Sequence, residues 1–346
     1  MSSALCSYCL GETIIGENKV RGVINVKNII DKSEYEVLGL LPCPIKVPVE
    51  IGFNEMISEL GDECDFSYLV EGNANYEVMW MDESSDIPSK NDLPKIIISS
   101  GINSFYRKDF RTKAVEEKYF KKVIDTKDTE EALIQNDLID LDGNYYIMAL
   151  NYLVMVIDLT KLNGGNIPKS WKELLNSEFK KEVAIRGKKG RYCETTLFSI
   201  YKEYGIDGIQ KLSELVGYGG HPAEMVKNMG KGIKGSPTIS VIPYFYAKIL
   251  KNNKNVKVIW PEEGAIISPV TLLVQSDSSK NLDNVVNYFI SKEVKSICKN
   301  ASIPHPLDYL KYLKENNYKL NWLGWDFASK NDINKLLLEL NTYFFS

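Results

Sequence analysis

Two histidines, His221 and His305, and six cysteines, Cys6, Cys9, Cys43, Cys64, Cys193 and Cys298, are all that this 346-residue chain offers for imidazole or thiol chemistry. A Ser-His-Asp or Cys-His catalyst would have to use one of the two histidines, and almost no room is left for a multi-histidine metal site. His305 lies in Ser-Ile-Pro-His-Pro, where flanking prolines fix a rigid turn. His221 precedes Pro222 near a helix start and reads as an exposed loop residue. Cys6 and Cys9 form a CxxC, which with Cys43 and Cys64 would supply four thiolates. Zinc sites of that kind normally need a second closely spaced pair, which is missing, so no metal or cofactor is expected. Cys43 is pinned between Pro42 and Pro44 at the end of an apolar run. A thiol beside a helix N-terminus is acidified, which makes Cys43 a candidate contact, while a small buried side chain is the plainer reading.

The elements that must hold such residues alternate between strand and helix. Tyr35–Leu41 is a short apolar run stopped by Pro42, and Val49–Leu60 has helical spacing. Phe66–Val70 and Lys95–Ile98 read as strands, the second running into Ser99-Ser100-Gly101. A helix is expected over 108–122, then a long uncharged β-type run over Tyr145–Leu159. Ser170 and Glu173 form a capping-box start for the helix that ends at Leu175. Strands are expected at 182–185, 239–242, 257–260 and, after Pro269, 270–274. Helices are expected at 195–204 and 209–215, separated by Gly205, and at 243–250, 282–290, 294–299 and 333–340. Strand-then-helix order of this kind predicts an α/β fold with parallel-rich sheets. In such sheets ligands bind beyond the carboxyl ends of the strands, where free helix N-terminal amides favour anions. The candidate binding residues are therefore Cys43, Pro44, Ser99, Ser100, Gly101, Arg191, Tyr192, Thr195, Ser236 and Thr238, with Tyr145 and Tyr244 beside them. Ser99, Thr195 and Thr238 are equally good helix caps.

Composition narrows the classes. The chain is 44% hydrophobic, 11% aromatic and 25% charged, with a net charge of −4. That excludes intrinsic disorder and a strongly basic nucleic-acid binder. No run of 18 apolar residues occurs, so no membrane-spanning helix is expected. Residues 1–11 hold no basic residue and no continuous apolar core, so no signal peptide is read. The chain as it stands is expected to be cytoplasmic; an extracytoplasmic site with a removed leader is the alternative.

One stretch carries a family resemblance. Pro168-Lys-Ser-Trp-Lys-Glu-Leu-Leu-Asn-Ser-Glu-Phe-Lys-Lys-Glu-Val-Ala-Ile185 resembles the second-lobe entry of type II solute-binding proteins of ABC importers, the iron- and oxyanion-binding group especially. Ser99-Ser100-Gly101, Ile259–Ala265 and Asn284–Ser291 support it in order, over roughly residues 36–310. The resemblance implies a two-lobe type II periplasmic-binding-protein fold with a central cleft. Its parts would be a lead-in at 1–35, lobe one at 36–155 plus 270–346, and lobe two at 156–269. It implies a monomer that captures a small polar or anionic solute by hinge closure and serves an ABC permease, without catalysis. Iron-binding relatives use an adjacent tyrosine pair, but here Tyr244 is followed by Phe245. An organic or oxyanion solute therefore fits better than a bare ferric ion. Two alternatives stand beside this reading. One is a cytosolic enzyme on the same scaffold, with Cys43 as nucleophile and Glu262 or Glu263 as acid–base partner. The other is a cytosolic metabolite sensor.

Overall fold

A computed structural model describes residues 35–61, 64–73, 86–124, 130–142, 144–188 and 191–345, with the two-residue strands β1 (Ile14–Ile15) and β2 (Asn18–Lys19). Cys6, Cys9 and most of the expected 1–35 lead-in lie outside the described residues. The chain forms two compact units. The first comprises 1–100, 109–149 and 270–301; the second comprises 101–108, 150–269 and 302–346. Residues 302–345, which the sequence reading puts with 36–155, thus group with the second unit.

In the first unit, β3 (Val37–Leu41) is buried along its whole length and pairs in parallel with β4 (Tyr68–Gly72) and β5 (Ile96–Ser100). Strands covered on both faces need continuous apolar runs, and Val-Leu-Gly-Leu-Leu and Ile-Ile-Ile supply them. Helix α1 (Cys43–Leu60) starts six residues earlier than its periodicity suggests. Pro44 lies in its first turn, where a fixed φ suits the helix and no amide is missed. Pro42-Cys43-Pro44 is thus a helix start and not only a strand stop. The unit also holds α2 (Lys108–Glu116) from Asp109 on, α3 (Glu131–Gln135), α8 (Asp283–Phe289) and α9 (Lys292–Asn300). Phe53 of α1 packs against Tyr68, Tyr288 and Phe289 with ring centroids 5.2–5.8 Å apart.

Two long strands carry the chain from one unit to the other. β6 (Tyr146–Asp158) enters the second unit at Leu150, and β12 (Ile266–Val274) leaves it after Pro269. Pro269 lies inside β12 and not before it; its carbonyl accepts from Gly101 N–H at 2.7 Å.

The second unit contains α4 (Trp171–Leu175), β7 (Val183–Lys188), β8 (Arg191–Tyr192), α5 (Glu194–Leu215), β9 (Val216–Gly220), α6 (Pro222–Asn228), β10 (Ile239–Pro243), α7 (Tyr244–Ala247) and β11 (Val256–Ile259). Helices α10 (Pro306–Asn316), α11 (Trp325–Lys330) and α12 (Ile333–Phe345) complete it. β7 runs parallel to β9 and β10, while β6 is antiparallel to β10 and β11. So β7, β9, β10 and β11 all point the same way, and their carboxyl ends share one edge of the sheet. α5 leaves helical geometry at Gly205, with φ 63°, where the sequence predicts the break between two helices.

Candidate functional site

The carboxyl edge of the second unit's sheet is where the chemistry gathers. β7 leads through β8 into α5, β10 leads into Tyr244, and β11 leads into Trp260. Leu153 pairs with Pro243 across the antiparallel junction, so Tyr152 lies at this same edge.

One corner of the edge is polar. Cys193 is the N-cap of α5 and makes no side-chain capping bond. Thiols are weak acceptors, so the first-turn amides of this helix lack the cap that Ser or Asp would give. Thr195 and Thr196 fill that turn and are almost fully buried. Thr196 Oγ1 has no hydrogen-bond partner. Gly101 sits opposite with φ +81°, and a Cβ placed on it would lie 3.5 Å from Ser268 Oγ and 3.7 Å from Thr195 Oγ1. A glycine is needed there for the left-handed backbone, although a Cβ would make only ordinary contact with its neighbours. The second unit therefore places Gly101 beside Thr195 and Ser268, with Thr196 in the same helical turn as Thr195. Ser268 is a single hydroxyl in an apolar run, a pattern that carries no separate signal.

The other corner is aromatic. Tyr152 stacks on Tyr244 at 5.2 Å and lies 5.3 Å from Trp260 and 4.9 Å from Tyr309. Trp260 stacks face to face on Tyr318 at 4.4 Å. The Tyr244 and Tyr312 hydroxyls lie near each other, and this proximity adds to burial in raising the Tyr312 phenol. Burial pushes the phenols of Tyr152, Tyr309 and Tyr312 above their ordinary pKa, so they stay neutral donors.

The remaining sequence candidates sit elsewhere. Ser236 and Thr238 precede β10 and so lie at the opposite end of that strand from Tyr244. Ser236 Oγ donates to Ile233 O at 2.8 Å, and the buried Thr238 hydroxyl donates to the Glu182 carboxylate. Both work as local structure. Tyr192 packs its ring on Phe344 and Phe345. Arg191 belongs to β8 through its backbone, and its side chain lies outside the described residues. In the first unit, Ser99 Oγ lies 3.3 Å from Thr271 Oγ1, and Ser100 Oγ donates to Leu40 O at 3.2 Å. Tyr145 lies under the Arg111 guanidinium, 5.5 Å from its carbon, and donates its N–H to Asp140. Cys43 is half-buried in the first turn of α1, next to Pro44.

Both histidines and Glu263 cap helices. His221 and His305 each accept from the backbone amide two residues on, at 3.2 and 3.3 Å, as N-caps of α6 and α10. In both cases proline follows at the first helical position. The Glu263 carboxylate accepts from Trp171 N–H at 2.9 Å, Lys172 N–H at 3.1 Å and the Tyr204 hydroxyl at 2.8 Å. Burial acts to raise its pKa, but these bonds outweigh it and hold the carboxyl below its ordinary value. An anion so held caps α4 and is a poor proton donor at neutral pH. Among the described residues, no group of three His, Cys, Asp or Glu side chains is placed to hold a metal ion.

The profile of the bacterial extracellular solute-binding proteins matches residues 91–331. No curated protein matches the sequence. Among solved structures, the substrate-binding protein of an ABC transporter from Agrobacterium tumefaciens is similar, with TM-score 0.56 at 12% identity, over 89% of this chain and 93% of that one. Apo ferric ion-binding protein A of Pasteurella haemolytica is similar with TM-score 0.57 at 13% identity, over 89% and 96%. The spermidine/putrescine substrate-binding protein PotD of Streptococcus pneumoniae is similar with TM-score 0.53 at 12% identity, over 89% and 98%. At such identities these likenesses concern the fold.

Proposed function

This chain belongs to the bacterial extracellular solute-binding protein family, and from there we propose that it captures a small polar or anionic solute for an ABC permease, using the polar corner at the start of α5. The observation that carries this reading is a helix start without a side-chain cap, beside a buried threonine hydroxyl that lacks a partner. The positive end of a helix, with hydroxyls alongside, suits a negative or strongly polar group. Gly101 and Ser268 bring backbone and hydroxyl up to the same spot. We place the protein outside the cytoplasm on the family's description, in preference to the cytoplasmic reading of its first residues. A ferric ion suits the site less well than an organic or oxyanion solute. Phe245 stands where iron-binding relatives would carry a second tyrosine. The family is one of binding proteins, and the capping duties of Glu263 weigh against an acid–base role.

Native mass spectrometry of protein purified without refolding, set against the denatured mass, tests this. A non-covalent adduct of small mass is expected on the wild-type protein. Thr195→Val should lose it while melting at an unchanged temperature. A bare native mass, together with no thermal stabilisation by millimolar phosphate, sulfate or organic acids, would sink the proposal. A covalent adduct on Cys43 would favour an enzyme instead.

A further inference from the structure

A buried donor without an acceptor costs stability, so its presence in a packed cluster needs a reason. Trp260 Nε1 and the Tyr309 hydroxyl are both buried and both lack a hydrogen-bond partner. Their rings belong to one cluster, with centroids 6.4 Å apart and Tyr152 in contact with both. Tyr309 is fully enclosed. Neither donor is paired within the cluster. An indole N–H can only donate. What both groups lack is an acceptor.

Their place in the fold gives that lack a meaning. Trp260 directly follows β11, and Tyr152 lies level with the carboxyl end of β10, the edge at which this class of sheet receives ligands. Small-molecule sites are largely aromatic and apolar, with a few convergent polar groups fixing orientation. A bare inorganic oxyanion is served better by many amides than by aromatic rings. A carbon body carrying an oxyanion is served by both.

Building on the solute-binding proposal above, we infer that Trp260 Nε1 and the Tyr309 hydroxyl form a recognition point for an acceptor oxygen of an organic solute, a carboxylate or phosphoryl group whose carbon body lies against the aromatic cluster. The pair acts as a specificity determinant beside the polar corner. It favours solutes with a flat or cyclic body over inorganic anions of equal charge.

The test uses the full chain and five probes: benzoate, cyclohexanecarboxylate, phenyl phosphate, inorganic phosphate and sulfate, each followed by thermal shift and titration calorimetry. At least one organic probe should stabilise the wild type more than either inorganic ion. Tyr309→Phe keeps its ring and removes one donor, whereas Trp260→Phe removes the other donor together with part of the packed indole. Each should weaken that probe roughly tenfold to a hundredfold, the value of a hydrogen bond to a charged acceptor. Unliganded Tyr309→Phe should melt no lower than wild type, since its removed hydroxyl had no partner, whereas Trp260→Phe is read by binding alone because it also loses packed ring. If both variants bind the organic probes as wild type does, the inference fails, and a lower melting temperature of Tyr309→Phe would then assign that donor to an internal water. If only inorganic ions bind, and Thr195→Val weakens them, the inference fails while the parent proposal stands. If no probe binds and no native adduct exists, both fail together.

Discussion

Each unit holds an aromatic cluster, and the two treat their polar atoms oppositely. In the first, Phe53, Tyr68, Tyr288 and Phe289 pack together; the partly exposed Tyr68 lies at the rim, and the buried Tyr288 hydroxyl donates to Val49 O at 2.7 Å. In the second, Tyr309 and Trp260 are buried as deeply around their polar atoms but leave them unpaired. The contrast is not one of indole against phenol. Trp171, in the same unit as Trp260, donates Nε1–H to Gly264 O at 2.8 Å. A cluster that serves as core satisfies its donors, because each unmet one costs about 1–3 kcal/mol. A cluster kept for a partner from outside leaves them open.

The largest effect belongs to the closed cluster. Phe289→Ala removes a ring that stacks on Phe53 with centroids 5.6 Å apart and that is 1% exposed. It should lower the unfolding free energy by about 3–5 kcal/mol, as truncated core aromatics do. Denaturant titration followed by circular dichroism would measure it. A loss below about 1 kcal/mol would mean that the first cluster is not the core it is taken for.

The matched hydroxyl deletions come next. Tyr288→Phe removes a buried hydrogen bond to the Val49 carbonyl and should cost about 1 kcal/mol. Tyr309→Phe strands nothing and should be neutral or slightly stabilising. The same denaturant experiment on both proteins reads the two signs side by side. Equal losses would erase the distinction between the clusters.

Much of the scaffold is legible in the residues. β3, β5, β7 and β10 are short apolar runs bounded by proline, glycine or charge, and buried strands leave that trace. β9 leaves none, because Val-Gly-Tyr-Gly-Gly reads as a turn. It is a strand because its glycines admit neighbouring backbone: a Cβ on Gly217 would lie 2.1 Å from Lys181 O, and one on Gly219 2.5 Å from Gly187 O. At the candidate site, Gly101 and Thr195 follow from the strand-end rule. Ser236 and Thr238 look alike in composition but stand before their strand, so the rule applied without direction misplaces them. Tyr152, Trp260 and Tyr309 come from three distant segments. Only the register of β6 with β10 and β11, together with the docking of α10, brings them together, and spacing along the chain holds no record of that.

The smallest expected effect joins the satisfied and the unsatisfied indole. Trp171 and Trp260 are linked by the short loop 260–264, which Glu263 anchors to the first turn of α4. Glu263→Gln weakens that anchor and should cost about 1 kcal/mol at neutral pH, the usual value of a helix cap. The pH dependence has a definite sign. The folded-state pKa of Glu263 is lowered, burial being outweighed by the amides of Lys172 and Trp171 and by the Tyr204 hydroxyl. A depressed carboxyl contributes its stability above the unfolded pKa and loses it as pH falls through the folded one. The wild type should therefore exceed Glu263→Gln at pH 7, and the gap should close as acidity passes below the ordinary glutamate range. Melting curves of both proteins from pH 7 to pH 3 would show it. A gap that stays constant with pH would mean that the carboxylate charge contributes nothing to the loop. A gap that widens in acid would reverse the sign assigned here. If the gap closes as expected while the Trp260 emission maximum also shifts in the variant, the anchor fixes the open indole as well as the closed one.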